Sequence, residues 1–449
     1  KRNRLYAHRS WTGYLIFVIE FDFNSGIHKV TMNRDPEQYN SISVEDDSAL
    51  INECLNWWTG DDYNFYEHWI SDTVNAMGMK AYMDLPEAYD DIASRLLKEL
   101  VQTHPNENIT ISPISVAVML TILLNAAGGA SREEIRKVFG EFSDDDINHW
   151  ICKLQDNLSI GSQLTSVSAA FVKPDMKRDV SDNFMMSFTD LGGRLLSSDE
   201  GVELVNEWIR NHTKGMIPHT IDQLPPDVAL ILINAISFDA KWSKKYQEDD
   251  IYESEFKNID GTTSKVQMLN STETVFVEGV EMDEEMDDGY AFRGFVKPYR
   301  GNKYSFMAIQ PYEEGQEALS FIAERIRLSE VFEDRYEDLV YASIPEFVVD
   351  FDVELTDICK RLGMKLIFTN EADFSPMTKV ECKLDKVIHK VHLDVDRKGT
   401  KAASVTMATL METGAPPKHE TIVLDRPFIY AIMHNETGLP VIAGVCSRI

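Results

Sequence analysis

Along the chain from Thr400 to Met411, hydrophobic and polar positions divide into two sets at the two-residue period of a strand, and only one of the sets carries a charge. Thr400, Ala402, Ser404, Thr406, Ala408 and Leu410 form one set; Lys401, Ala403, Val405, Met407, Thr409 and Met411 form the other. The first set is small and uncharged, and the stretch holds no Gly, Pro or Asp, the residues that ordinarily keep an exposed loop from pairing. A strand with such a face can slide beneath helices that cover a sheet without burying a charge, while Lys401 falls on the opposite face and stays in water. An ordinary edge strand or a disordered linker would show the same pattern, so the surrounding chain must decide. Just before it, Val387-Ile388-His389-Lys390-Val391-His392-Leu393-Asp394-Val395 reads as a strand.

Near the N-terminus, Tyr14 to Phe23 and Ile27 to Met32, joined at Asn24-Ser25-Gly26, read as a hairpin. Asp46 to Trp58 and Tyr63 to Met79 read as short helices, which predicts a small α+β module over residues 1–84. Trp11, Trp57, Trp58 and Trp69 are four of the chain's seven tryptophans, more indole than a disordered tail holds. Two roles stay open for this module: an extension packed on the rest of the protein, or a separate binding domain.

The remaining chain carries an ordered series of motifs. Asn108-Ile109-Thr110-Ile111-Ser112-Pro113-Ile114-Ser115-Val116-Ala117-Val118-Met119-Leu120 is followed by Gly128-Gly129-Ala130-Ser131 and Glu134-Ile135. Asn206-Glu207-Trp208-Ile209, Thr213-Lys214-Gly215-Met216-Ile217 and Leu232-Ile233-Asn234-Ala235-Ile236-Ser237-Phe238-Asp239-Ala240-Lys241-Trp242 come next, then Ala372-Asp373-Phe374-Ser375 and a closing Asp425-Arg426-Pro427-Phe428. Together they resemble the serpins, protease inhibitors that act by inserting a cleaved loop into their own central sheet. Val296 to Ile309 is similar to a hairpin of that family's second sheet. The resemblance implies an α+β chain with the serpin fold over residues 85–449: three β-sheets, about nine helices and an exposed reactive loop at about 397–424.

Bulk properties agree with such a body. The 449 residues are 43% apolar, enough for a large core, and the net charge of −30 argues against nucleic acid or an anionic membrane as principal partner. Cys54, Cys152, Cys359, Cys382 and Cys446 are too few and too scattered for a disulfide scaffold, and their odd number leaves at least one unpaired. No Cys-x-x-Cys or His-Glu-x-x-His offers a metal site, and the spacing of His389 and His392 points their rings to opposite faces of a strand. Val277 to Asp288 is rich in acidic residues but lacks the central glycine of a calcium loop, so it reads as a solvated acidic loop. Neither metal nor cofactor is expected. The chain opens at Lys1 without methionine, which points to a processed or truncated N-terminus, and Tyr14 to Ile19 is too short to span a bilayer.

The resemblance also assigns roles. Gly399, Thr400, Lys401, Ala402, Ala403, Ser404, Val405 and Thr406 match the hinge that enters the sheet. Ser112, Ser115, Asn234 and His389 match a polar cluster where the sheet opens, although each singly reads equally well as a satisfied core residue. Trp242 matches the tryptophan at the top of the sheet. Serpins commonly carry a glutamate two residues before the hinge glycine, paired with a lysine on the neighbouring strand. Here Arg397 and Glu346 stand at those positions, so both charges are reversed and an arginine-carboxylate pair is expected. Lys401 is a second departure, where a glutamate is common.

Counting from Gly399 by the family's spacing presents Thr413 to a protease, with Gly414 after it and Pro416-Pro417 following where prolines are frequent. A small residue suits a shallow pocket, as in elastase-like or subtilisin-like enzymes. Shifted registers would present Glu412, Met411 or Leu410 instead. The expected partner is a serine protease held as a covalent acyl-enzyme, the protein itself being no enzyme: it has no Gly-x-Ser-x-Gly elbow and needs none. A monomer able to polymerise by loop insertion, an extracellular or cell-surface location and a bacterial type of C-terminus complete the expectation. Two other readings stay open: a serpin that no longer inhibits, and an interaction protein docked through its N-terminal module.

Overall fold

The structure is a computed structural model that describes residues 4–8, 15–22, 27–32, 76–160, 163–221, 229–281, 290–400 and 420–449. It divides into two compact units, residues 1–87 with 145–150, and the remainder. In the first unit, β1 (Arg4–His8), β2 (Leu15–Asp22) and β3 (Ile27–Met32) form an antiparallel sheet in that order, so the expected hairpin is present, with Asp22 opposite Ile27. The helix expected over Asp46 to Trp58 lies outside the described residues. Of Tyr63 to Met79, only the end from Ala76 is described, and it opens a much longer helix, α1 (Ala76–Thr103).

Continuing into the larger unit, β4 (Ile109–Ile111) leads through Ser112 into α2 (Pro113–Ala126). Pro113 suits the first helical turn because its missing N–H would be unpaired there anyway, and the Ser112 hydroxyl caps the helix by accepting the Ser115 amide. Nearly every residue of α2 is buried, as its sequence of Ile, Val, Leu, Met and Ala requires of a helix apolar all round.

The central sheet is built from β5 (Leu164–Val172), β6 (Gly193–Ser197) and β7 (Leu230–Phe238), together with two strands from later in the chain. All nine residues of β7 are buried, matching its continuous apolar run with both faces covered. On one face Ile231, Ile233 and Ala235 pack with Val205, Trp208 and Ile209 of α3 (Val202–His212). On the other, α2 lies beneath. After β8 (Ala240–Lys241), the chain forms β9 (Ile251–Lys257), β10 (Thr263–Glu281), β11 (Tyr290–Pro298), β12 (Tyr304–Pro311) and β13 (Tyr336–Pro345). The central sheet is completed by β14 (Phe347–Glu354), whose strict alternation leaves Asp350, Asp352 and Glu354 in water, and by β15 (Leu384–Val395). Its order is β14-β15-β7-β5-β6, with β15 parallel to β7.

The chain ends with β16 (Gly399–Thr400), β17 (Glu420–Val423), β18 (Phe428–His434) and β19 (Pro440–Cys446). A second sheet runs β17-β13-β10-β11-β12-β18-β19-β4, with β9 also on β10. The second and third sheets expected from the sequence share the 19-residue β10, so hydrogen bonding joins them into one nine-stranded sheet. The hairpin expected over Val296 to Ile309 is the β11–β12 turn, with Pro298 opposite Ser305. Of the acidic stretch, Val277 to Glu281 ends β10, and the rest lies outside the described residues. Cys152, Cys359, Cys382 and Cys446 are free thiols; Cys54 lies outside the described residues.

Candidate functional site

Where β7 and β15 run side by side, His389 lies directly opposite Asn234. Both are fully buried, as are Ser112 and Ser115 at the start of α2. The Ser112 amide donates to His389 Nε2 at 3.1 Å, and the Ser112 hydroxyl donates to the Val441 carbonyl at 2.8 Å. Burial pushes the His389 imidazole down to about 3, so the ring is neutral and that nitrogen is free to accept. Ser115 Oγ lies 3.1 Å from Ser166 Oγ, and Asn234 Nδ2 donates to the Ser166 and Ser168 hydroxyls at 3.2 and 3.1 Å. The four polar residues singled out in the sequence are therefore brought together, and two serines of β5 that it did not single out complete the group. Their signal was present: Ser166 and Ser168 stand two positions apart in β5, on the face shared with Asn234. His389 Nδ1 and Asn234 Oδ1 have no hydrogen-bond partner.

Above this cluster, Trp242 is buried and stacks on Tyr299 with ring centroids 4.5 Å apart. Its Nε1–H donates to the Asp396 carbonyl at 2.9 Å. The next residue, Arg397, grips Glu346 through two parallel bonds, Nε to Oε1 at 2.8 Å and an Nη to Oε2 at 2.9 Å, and its amide donates to Oε1 at 3.1 Å. These bonds hold the Glu346 carboxyl below the usual carboxylate range. Asp396 and Gly399 exchange backbone hydrogen bonds and so turn the chain back on itself.

After that turn, Gly399 and Thr400 pair antiparallel with Lys241 and Ala240 of β8, in line with β7. Gly399 has φ of +133°, and a Cβ there would stand 2.4 Å from the Ala240 carbonyl oxygen, so only glycine fits. Lys401 to Thr406, and Leu410 to Gly414 with the candidate scissile bonds, lie outside the described residues. His392 turns away from His389 and meets the Asp350 carboxylate. Among the described residues no group of three His, Cys, Asp or Glu could hold a metal ion, and no helix is long and apolar enough to cross a membrane.

The arrangement is a sheet whose two central strands are parallel neighbours, closed over a polar core, with a following segment already turned toward the seam between them. A family model described as serpin, serine protease inhibitor, matches residues 87–449. The chain belongs to the serpin family. Pig plasminogen activator inhibitor 1 is 26% identical over 371 residues, covering 79% of this serpin and 90% of that one. Serpin-Z3 of Arabidopsis thaliana is 24% identical, with coverage of 80% and 96%. The crystal structure of the thermophilic serpin tengpin in its native state superposes with a TM-score of 0.72 at 28% identity, over 81% of this chain and 94% of that one. Human thyroxine-binding globulin, solved with its hormone, has a TM-score of 0.71 at 21% identity and shares the fold, with coverage of 82% and 99%. The serpin family thus includes inhibitors of proteases among the relatives of this chain.

Proposed function

We propose that this serpin is a suicide inhibitor of serine proteases that traps the acyl-enzyme by inserting its cleaved loop between β7 and β15. The supporting observation is the antiparallel docking of Gly399 and Thr400 on β8, at the head of the parallel β7–β15 seam. Extending that register places Ala402 opposite Phe238, Ser404 opposite Ile236, Thr406 opposite Asn234 and Leu410 opposite Leu230. The small, uncharged set then faces α2 and the polar cluster, and the Thr406 hydroxyl arrives beside two buried atoms that lack partners.

On the other face, Lys401 comes opposite the partly exposed Asp239 and keeps its charge in water, but Val405, Met407 and Thr409 come opposite Ala235, Ile233 and Ile231, which α3 covers. That face is therefore buried below the hinge and needs the apolar side chains it carries.

In the reaction, the protease serine attacks the Thr413 carbonyl and its bond to Gly414 breaks, Gly414 leaving as the amine. Glu412, Met411 and Leu410 remain alternative bait residues. About fourteen inserted residues at about 3.3 Å each then draw the bound protease roughly 45 Å along the sheet. Such a role places the protein outside the cell or at its surface. Incubation with a panel of elastase-like, subtilisin-like, chymotrypsin-like and glutamate-selective enzymes, read by denaturing gel and mass spectrometry, tests the proposal. A complex that survives denaturation is the expected result and identifies the bond. Clean turnover by every enzyme, with none retained, would remove it.

The Arg397–Glu346 pair gives a second expectation. Arg397→Glu faces two carboxylates across the same contact and is expected to cost about 1–2 kcal/mol, the pair being partly exposed. With the hinge loosened, polymers are expected on mild heating, because a free loop can enter a neighbour's seam. Arg397→Glu combined with Glu346→Lys restores opposite charges and should return the monomer. Size-exclusion chromatography after heating checks this, and equal polymerisation of the single and double variants would show that the pair does not hold the hinge.

A further inference from the structure

Beneath Trp242 lies an ion pair with almost no access to water. Lys297 of β11 and Glu273 of β10 have side chains only 2% and 8% exposed, and Lys297 Nζ donates to Glu273 Oε1 at 2.5 Å. The same ammonium stands 4.7 Å from the ring centre of Tyr246 and 5.4 Å from that of Trp242. A buried lysine loses its hydration, and here a carboxylate and two aromatic faces replace it. An apolar pair of similar size would fill the space as well without that penalty. The charge lies against the indole whose N–H binds the Asp396 carbonyl, one residue before the Arg397–Glu346 pair and three before the hinge glycine.

We infer that Lys297 and Glu273 are positioning residues for the hinge: the buried ammonium fixes the Trp242 indole, which holds Asp396 so that Gly399 and Thr400 lie along β8 as the first rung of the new strand. A positive charge against the ring draws electron density from the indole and strengthens its N–H as a donor. Glu273 holds the ammonium in place. The consequence for inhibition rests on the reading proposed above, since a hinge already docked enters the seam before deacylation frees the protease.

The test uses the full chain with Lys297→Met and Glu273→Leu together, which leaves no unpaired charge. Hydrogen exchange of the uncut protein should speed up about tenfold over Asp396 to Thr400, the equivalent of one lost hydrogen bond, while β5 and β7 exchange as before. Trp242→Phe, which keeps a ring but removes the N–H, should do the same, so the inference stays testable if the double variant folds poorly. Lys297→Arg, which keeps a cation, should restore slow exchange. Against a protease that forms the trapped complex, the double variant should need several molecules per enzyme in place of about one, at a melting temperature within a few degrees of the parent. Unchanged hinge exchange in the double variant would overturn the inference, and so would unchanged exchange in Trp242→Phe, because the indole is its only link to Asp396. Faster hinge exchange in a protein that traps no protease would leave it standing and remove the inhibitory reading instead.

Discussion

Cutting the chain between Thr413 and Gly414 is expected to raise its melting temperature by at least about 10 °C, whereas a nick in most proteins lowers it. Insertion adds about a dozen backbone hydrogen bonds at roughly 0.5–1.5 kcal/mol net each, or on the order of 10 kcal/mol. That is comparable to the whole unfolding free energy of an ordinary domain, about 5–15 kcal/mol. For a large domain each kcal/mol is worth about 2 °C, so the expected shift is on the order of 10–20 °C. The proposed insertion fits the seam: β7 is buried on both faces, and the cluster beside it is held by hydrogen bonds, contacts that an entering strand could replace with its own. The measurement is scanning calorimetry of intact and nicked protein, with protease digestion of the hinge as a second readout. A nicked form that melts no higher, with Lys401 to Ala408 open to digestion, would show that no strand is added.

Features written in contiguous residues were legible in the sequence. The apolar run Leu230–Phe238, broken by the polar Asn234, marks a covered strand with a polar contact at its centre, and the structure places Asn234 against two serines. Arg397 and Glu346, 51 residues apart, were legible as a pair only through the family resemblance, because both charges were reversed together, and they meet through two parallel bonds. The helix α1 was readable in principle, since Leu85, Tyr89, Ile92, Leu96 and Leu100 recur at helical spacing and are all buried. It was missed at the boundary drawn between the N-terminal module and the rest. Other features had no local signal. Lys297 lies in a strand of apolar neighbours, and nothing around it shows that Glu273, 24 residues away, neutralises it or that Trp242 and Tyr246 cover it. The covering of both sheet faces was likewise invisible in the period-two pattern, which records where charges are absent but not which helix, α2 or α3, lies over each face.

Replacing Thr406 by arginine is expected to convert the protein from inhibitor to substrate, raising the number of molecules consumed per trapped protease more than about tenfold. In the extended register Thr406 arrives opposite Asn234, on the face where Ser115, Ser168 and His389 are all buried. The neutral His389 ring and the serine hydroxyls offer no carboxylate, so an arginine there would be a buried, unpaired charge costing several kcal/mol. Each 1.4 kcal/mol added to the barrier slows insertion about tenfold, and the protease then completes hydrolysis before it is displaced. Lys401→Arg, opposite the partly exposed Asp239, changes no buried position and should leave trapping within about twofold of the parent. Titration of a susceptible protease with each variant, read as residual activity, separates the two positions. Equal trapping by Thr406→Arg and Lys401→Arg would mean that the register set by Gly399 and Thr400 on β8 is not the one the inserted strand adopts.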